Sequence, residues 1–207
     1  MCGRYVVTNP VSKTNKIVKS AIQVEDIDNY NAHPLKKLPV IKKYKNGNTL
    51  ENLRWGILPG WAKKNDFKPI INARLETIHE KITFKNLIKL HRCVAVADGF
   101  YEWKREENNK IPYYFLREDK KIMYIAGIFD DNEFCLITEN ASKNIAGIHH
   151  RQPVIINEND VNRYLDLELN GSSFLKDCKK PFLKFYEVSK KVNKPTNNNI
   201  SLIQKIN

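Results

Sequence analysis

What this sequence has little of narrows it first. Its four cysteines, Cys2, Cys93, Cys135 and Cys178, lie no closer than 42 positions to one another. There is therefore no Cys-x-x-Cys pattern for zinc or redox work, and no disulfide framework is expected. No apolar run approaches the roughly 20 residues that cross a bilayer, and the opening segment holds no apolar signal core. The expectation is a cytosolic protein, nucleoid-associated if bacterial, with no membrane contact. Carboxylates are the scarcer charge: 23 Asp and Glu against 35 Lys and Arg leave +12 and an isoelectric point near 9.5. That balance favours a polyanionic partner, and a lysine-rich composition with abundant Asn and Ile accounts for it equally well.

What is present is globular. A chain of 207 residues suits one domain, 1–207, with a sizeable core, and 42% hydrophobic against 28% charged residues excludes a disordered chain. Ile17, Val18, Ala21 and Ile22 share a helical face, which predicts a helix over 12–24. Residues 39–45, Asn46-Gly47 and 49–58 read as a hairpin on a type I′ turn, with lysines 42, 43 and 45 on a solvated edge. Residues 54–61 form a structured loop with Trp55 in the core, while Trp61 either stacks on a base or packs at a rim. A short helix follows around Phe84, Leu87 and Ile88, then a strand over 92–98. An antiparallel meander over 111–117, 121–128 and 133–138 comes next. A helix over 161–169 ends before Asn170-Gly171. A strand over 185–192 follows, and Leu202-Ile203 closes the sheet. Cys93 and Cys135, inside apolar runs, read as core.

Cys2 differs from the other cysteines in context. Removal of Met1 would leave an α-amine and a thiol on adjacent carbons, with ordinary pKa values of roughly 8 and roughly 8.5. Such a 1,2-aminothiol adds to an aldehyde as an imine and closes to a five-membered thiazolidine. Taken alone, a cysteine at position 2 is readily incidental. Asn72 and Arg74 share a face if their stretch is extended. Glu102, among aromatic residues, is either a carboxyl with a raised pKa able to act as a general acid or base, or a surface residue of an amphipathic strand. His149 and His150 are adjacent and so make a poor metal pair; neither metal nor cofactor is expected.

These signals share one order. Met1-Cys2-Gly3-Arg4-Tyr5, Trp55-Gly56 with Pro59-Gly60-Trp61, Ile71 to Thr77, Asp98 to Trp103, Ile148-His149-x-Arg151-x-Pro153 and Val188-Ser189-x-x-Val192-Asn193 together resemble the SRAP family, the SOS-response-associated peptidases or abasic-site processing proteins. The resemblance implies an α+β single domain with a curved, barrel-like antiparallel β-sheet core and a few flanking helices. It also implies a monomer that binds single-stranded DNA containing abasic sites, including single-strand/duplex junctions, in a positive groove. By motif, Cys2 is the nucleophile that crosslinks to the ring-opened aldehyde. Asn72 orients the amino terminus and sugar, Glu102 handles protons, and His149 assists ring opening. Arg4, Arg74 and Arg151 hold phosphates, and Pro34 with Trp61 forms a wedge against duplex. The chain departs from the family pattern at His33, Ala62 and Gln152. An abasic-site lyase outcome, a cysteine peptidase acting through Cys2, either generally or only to remove Met1, and a noncovalent single-strand binder are the other readings.

Overall fold

Strands make up most of the regular structure, as the period-two alternation of so many short segments requires. The computed structural model describes residues 2–62, 67–107 and 109–206, apart from the side chain of Trp61. In chain order the elements are β1 (Tyr5–Val7), α1 (Pro10–Thr14), β2 (Ser20–Ile22), β3 (Asn29–Ala32), β4 (Lys37–Tyr44), β5 (Gly47–Trp55), β6 (Asn72–Arg74), α2 (Leu87–Leu90), β7 (Arg92–Ala97), β8 (Gly99–Glu106) and β9 (Asn109–Arg117). Then come β10 (Met123–Asp130), β11 (Glu133–Asn140), β12 (Arg151–Pro153), β13 (Ile155–Ile156), α3 (Glu158–Tyr164), α4 (Gly171–Asp177) and β14 (Leu183–Glu187).

The architecture is α+β with two sheets. A five-stranded sheet runs β14-β9-β8-β1-β3; a nine-stranded one runs β12-β11-β10-β7-β4-β5-β2, with β13 on β10 and β6 on β11. Most pairs are antiparallel, but β2 with β5, β5 with β11 and β6 with β11 are parallel. The α+β class and the largely antiparallel pairing expected from the resemblance are found, with two sheets and three parallel pairings where a single antiparallel sheet was expected. The chain changes sheet at Asp98-Gly99, between β7 and β8. A Cβ on Gly99 would lie 2.3 Å from the Phe115 carbonyl oxygen, so only glycine lets β8 approach β9 that closely. Asp98 accepts hydrogen bonds from the Thr8 amide at 2.7 Å and the Thr8 hydroxyl at 2.9 Å, which pins the switch point to the end of β1.

Between the sheets lies a core that includes Tyr5, Trp55, Phe100, Phe115 and Phe134. The other face of the large sheet is covered by the helices through Ile88, Val161, Tyr164 and Leu175. β7 is buried along its whole length, which is why Arg92–Ala97 reads as an apolar run rather than an alternation.

Several expectations are corrected. The helix over 12–24 is only α1; residues 20–22 leave it to pair in parallel with β5, while Ile17 and Val18 still pack on the core. The 39–58 hairpin forms, but Tyr44 pairs with Gly47 across Lys45 and Asn46, and positive φ falls on Gly47 at 119° with none at Asn46. The expected meander is split: β9 belongs to the small sheet, and β10 and β11 to the large one. Asn170-Gly171 opens α4 rather than simply ending a helix, since the Asn170 side chain accepts from the Ser173 amide. Leu202-Ile203 forms a 3₁₀ turn rather than a strand, although Leu202 is buried against Val6 and Tyr101.

Candidate active site

Strand pairing carries the amino terminus to a carboxyl. β1 pairs with β8 through Tyr5 with Phe100 and Val6 with Gly99, and the Tyr101 amide donates to the Arg4 carbonyl at 3.0 Å. Glu102 follows on β8, so Cys2 is set beside it. Asn72 arrives from β6, held in parallel register with Leu136 of β11, and its Nδ2 donates to the Cys2 carbonyl at 2.9 Å. Its Oδ1 is buried without a hydrogen-bond donor among the described residues, an acceptor open to an amine or a sugar hydroxyl.

His149 sits in the turn before β12. His149 Nδ1 lies 3.0 Å from the Arg151 amide nitrogen and 3.1 Å from the Arg151 carbonyl oxygen, so the Arg151 backbone holds the ring through this nitrogen in either tautomer. The same Nδ1 lies 4.0 Å from Glu102 Oε1. Gln152 braces this turn, accepting from the Ser142 amide at 2.9 Å and hydroxyl at 3.1 Å. The four residues named by motif as catalytic, Cys2, Asn72, Glu102 and His149, thus share one site.

Burial sets the protonation states. Cys2 is 0% exposed, and that enclosure, with the nearby Glu102 carboxyl, holds its thiol well above the ordinary range. With Met1 attached, burial thus favours the protonated thiol over the partly ionised one expected of a free aminothiol. Burial also raises the Glu102 carboxyl, which is 3% exposed, and lowers the His149 imidazole. The carboxyl and imidazole pKa values are pushed toward each other, which suits proton exchange between them. Among the described residues, no group of three His, Cys, Asp or Glu side chains could hold a metal ion.

The remaining motif residues fall into different settings. Arg4 is half-buried and donates through Nη1 to Asn31 Oδ1 at 2.7 Å and to the Val192 carbonyl at 3.0 Å, which ties the amino terminus to the C-terminal segment. Arg74 is exposed on β6, two residues beyond Asn72. Arg151 is only 4% exposed. It donates to both carboxylate oxygens of Glu76, at 2.8 and 2.9 Å, to Asn140 Oδ1 at 2.8 Å and to the Thr138 carbonyl at 2.7 Å. Its two terminal nitrogens are engaged inside the protein, where they fix the backbone beside His149, and its Nε is buried without an acceptor among the described residues. Pro34 stands in the turn between β3 and β4 next to Leu35, an exposed residue with φ of 71°. The Trp61 side chain, the other half of the expected wedge, lies outside the described residues.

Sequence reasoning missed Glu76, Asn31 and Leu35. Glu76 falls within the Ile71 to Thr77 motif, but nothing local marks it as the partner of an arginine 75 positions away. Asn31 Nδ2 reaches the carbonyls of Val192, Lys194 and Asn197, contacts made only by the folded chain.

Comparison with known proteins agrees with the architecture. The profile of the SRAP family, SOS response associated peptidase, matches residues 1–195. Abasic site processing protein YoqW of Bacillus subtilis is 30% identical over 223 residues, covering 99% of each chain. Abasic site processing protein YedK of Escherichia coli is 29% identical over 185 residues, covering 83% of this chain and 82% of its own. A crystal structure of a Bacteroides thetaiotaomicron protein superimposes with a TM-score of 0.80 at 24% identity, covering 99% of this chain and all of the other, a likeness of fold. With its motifs in order from Cys2 to Asn193, and a family match over nearly its whole length, this chain belongs to the SRAP family.

Proposed function

We propose that this protein captures abasic sites in single-stranded DNA by forming a thiazolidine between Cys2, freed by loss of Met1, and the sugar aldehyde. The observation that carries the reading is the meeting of Cys2, Asn72, Glu102 and His149 in one buried site, with the Cys2 carbonyl held by Asn72 at 2.9 Å. Two of the most similar relatives are named for abasic-site processing, which supports the same reading.

The chemistry follows from the groups present. The abasic deoxyribose is mostly a closed hemiacetal. His149 takes the C1′ hydroxyl proton and returns it to the ring oxygen as the bond from C1′ to that oxygen breaks, giving the aldehyde and a C4′ hydroxyl with the imidazole neutral again. The Cys2 α-amine then adds to C1′, and protonated Glu102 gives its proton to the departing hydroxyl, so that water leaves and an iminium forms. The thiol adds last: the S–C1′ bond forms and the thiol proton returns to the Glu102 carboxylate. One water is lost overall, and Glu102 ends as it began. A buried, protonated thiol suits this order, because it gains nucleophilic character only when the iminium develops beside it.

Lyase chemistry is a slower branch of the same intermediate, since an iminium at C1′ acidifies C2′ and permits β-elimination. A trans-acting peptidase would need a thiolate at neutral pH, which burial opposes. Arg4 and Arg74 contribute phosphate contacts, and Pro34 with Trp61 limits entry of duplex.

The test is incubation with an oligonucleotide carrying one abasic site. The native protein, shown by intact mass to lack Met1, should give a gel-stable adduct, and Cys2→Ala should give none. Equal adduct from undamaged strands, or adduct surviving in Cys2→Ala, would sink the proposal.

A further inference from the structure

His150 is the side chain at the site that the mechanism above leaves unused. It is exposed, and its ring stacks on that of His149 with centroids 4.5 Å apart and planes at 26°. The next residue, Arg151, has turned its guanidinium inward to Glu76, Asn140 and Thr138. The histidine–arginine segment therefore offers His150, not Arg151, to whatever lies at the mouth.

We infer that His150 is the phosphate-contacting side chain of this segment and that it takes a proton from solvent when a DNA phosphodiester binds. This rests on the proposed DNA function and adds a residue and a proton to it. The charged and titratable groups around the ring explain why uptake waits for the phosphate. His149 lies against it, and Arg151 and Arg74 of β6 add positive charge. Arg105 of β8 faces His149, and the buried Glu102 carboxyl also senses His150. Desolvation and His149 together push the His150 imidazole below its ordinary value, which favours its neutral form in the free protein. A phosphate at the ring adds negative charge and removes that penalty.

The stack gives the protonation a second consequence. Two imidazolium rings at this separation repel, so the pair titrates as a unit that accepts one proton far more readily than two. A proton held on His150 leaves His149 neutral, the form that takes the hydroxyl proton during ring opening. One ring holds the strand, and the other stays a base.

The test uses a single strand bearing a tetrahydrofuran abasic analogue, which has no aldehyde and so reports noncovalent affinity alone. Binding is followed by fluorescence anisotropy at fixed salt between about pH 6 and about pH 8, the range a histidine spans. The native protein should tighten on acidification by about three- to tenfold more than His150→Gln, the gain one linked proton gives over this range. His150→Lys, permanently charged, should bind tightly with a flattened profile. Matching pH profiles for the native protein and His150→Gln would overturn the inference while leaving the DNA reading intact. Absence of binding by any of the proteins at any pH would overturn the DNA reading itself, and this inference with it.

Discussion

At the scale of single residues, the site places reactive groups where water is excluded. Cys2, Tyr5 and Phe100 are all fully buried, so the thiol is shielded from bystander electrophiles in solution. Glu102 shares that enclosure, and the effect on stability has a definite sign. Burial raises its carboxyl above the unfolded value, so the folded state binds the proton more tightly than the unfolded chain. The stability contributed is complete below the ordinary carboxylate pKa and is lost as pH rises through the raised folded value. Glu102→Gln has no such proton to lose. Its Tm, measured at about pH 8, should exceed that of the native protein by about 2–4 °C for each ~1 kcal/mol recovered. Its rate of adduct formation should fall by about a hundredfold or more, the scale of general acid–base catalysis. A Glu102→Gln protein less stable than the native one at that pH would contradict this account of burial.

At the scale of elements, β11 organises the site. Its second half pairs on one side with β6, which brings Asn72, and on the other with β12, which brings Arg151 and the turn bearing His149. Arg151 locks these elements together because its carboxylate partner, Glu76, lies just beyond β6 and its other acceptors, Thr138 and Asn140, lie on β11. Glu76→Ala leaves a buried guanidinium without its carboxylate, at a cost of about 2 kcal/mol. It should lower Tm and slow adduct formation while leaving noncovalent affinity for an abasic analogue within about twofold. Loss of affinity with an unchanged rate would instead place Glu76 and Arg151 on the DNA-binding surface. The elements themselves were unevenly legible. β7 and β8 are long, apolar or aromatic, and bounded by turn residues, so local pattern reveals them. Residues 20–22 carry a helical periodicity yet form β2, because the open edge of β5 offers backbone partners that outweigh a weak local preference.

At the scale of the whole molecule, the net charge of +12 predicts binding to a polyanion that weakens with salt. The exposed residue Arg74 is the motif arginine whose charge remains available, whereas Arg151 is enclosed. Arg74→Ala should reduce the slope of log affinity against log salt by about 0.7, the share of one phosphate on a single strand, as measured in titrations over several salt concentrations. An unchanged slope would remove Arg74 from the strand's path. The sequence by itself determined the position of Cys2, the basic character and the ordered motifs, because chain position, composition and residue type are local properties. Tertiary structure decided the protonation state of Cys2, the enclosure of Arg151 and the stacking of His150 on His149. It also decided the division into two sheets. The burial, the ion pair and the sheet pairing depend on which distant segments exclude water from a group or lie within hydrogen-bonding reach of it, and the stack depends on the backbone turn that those segments fix; none of this is written in a local pattern.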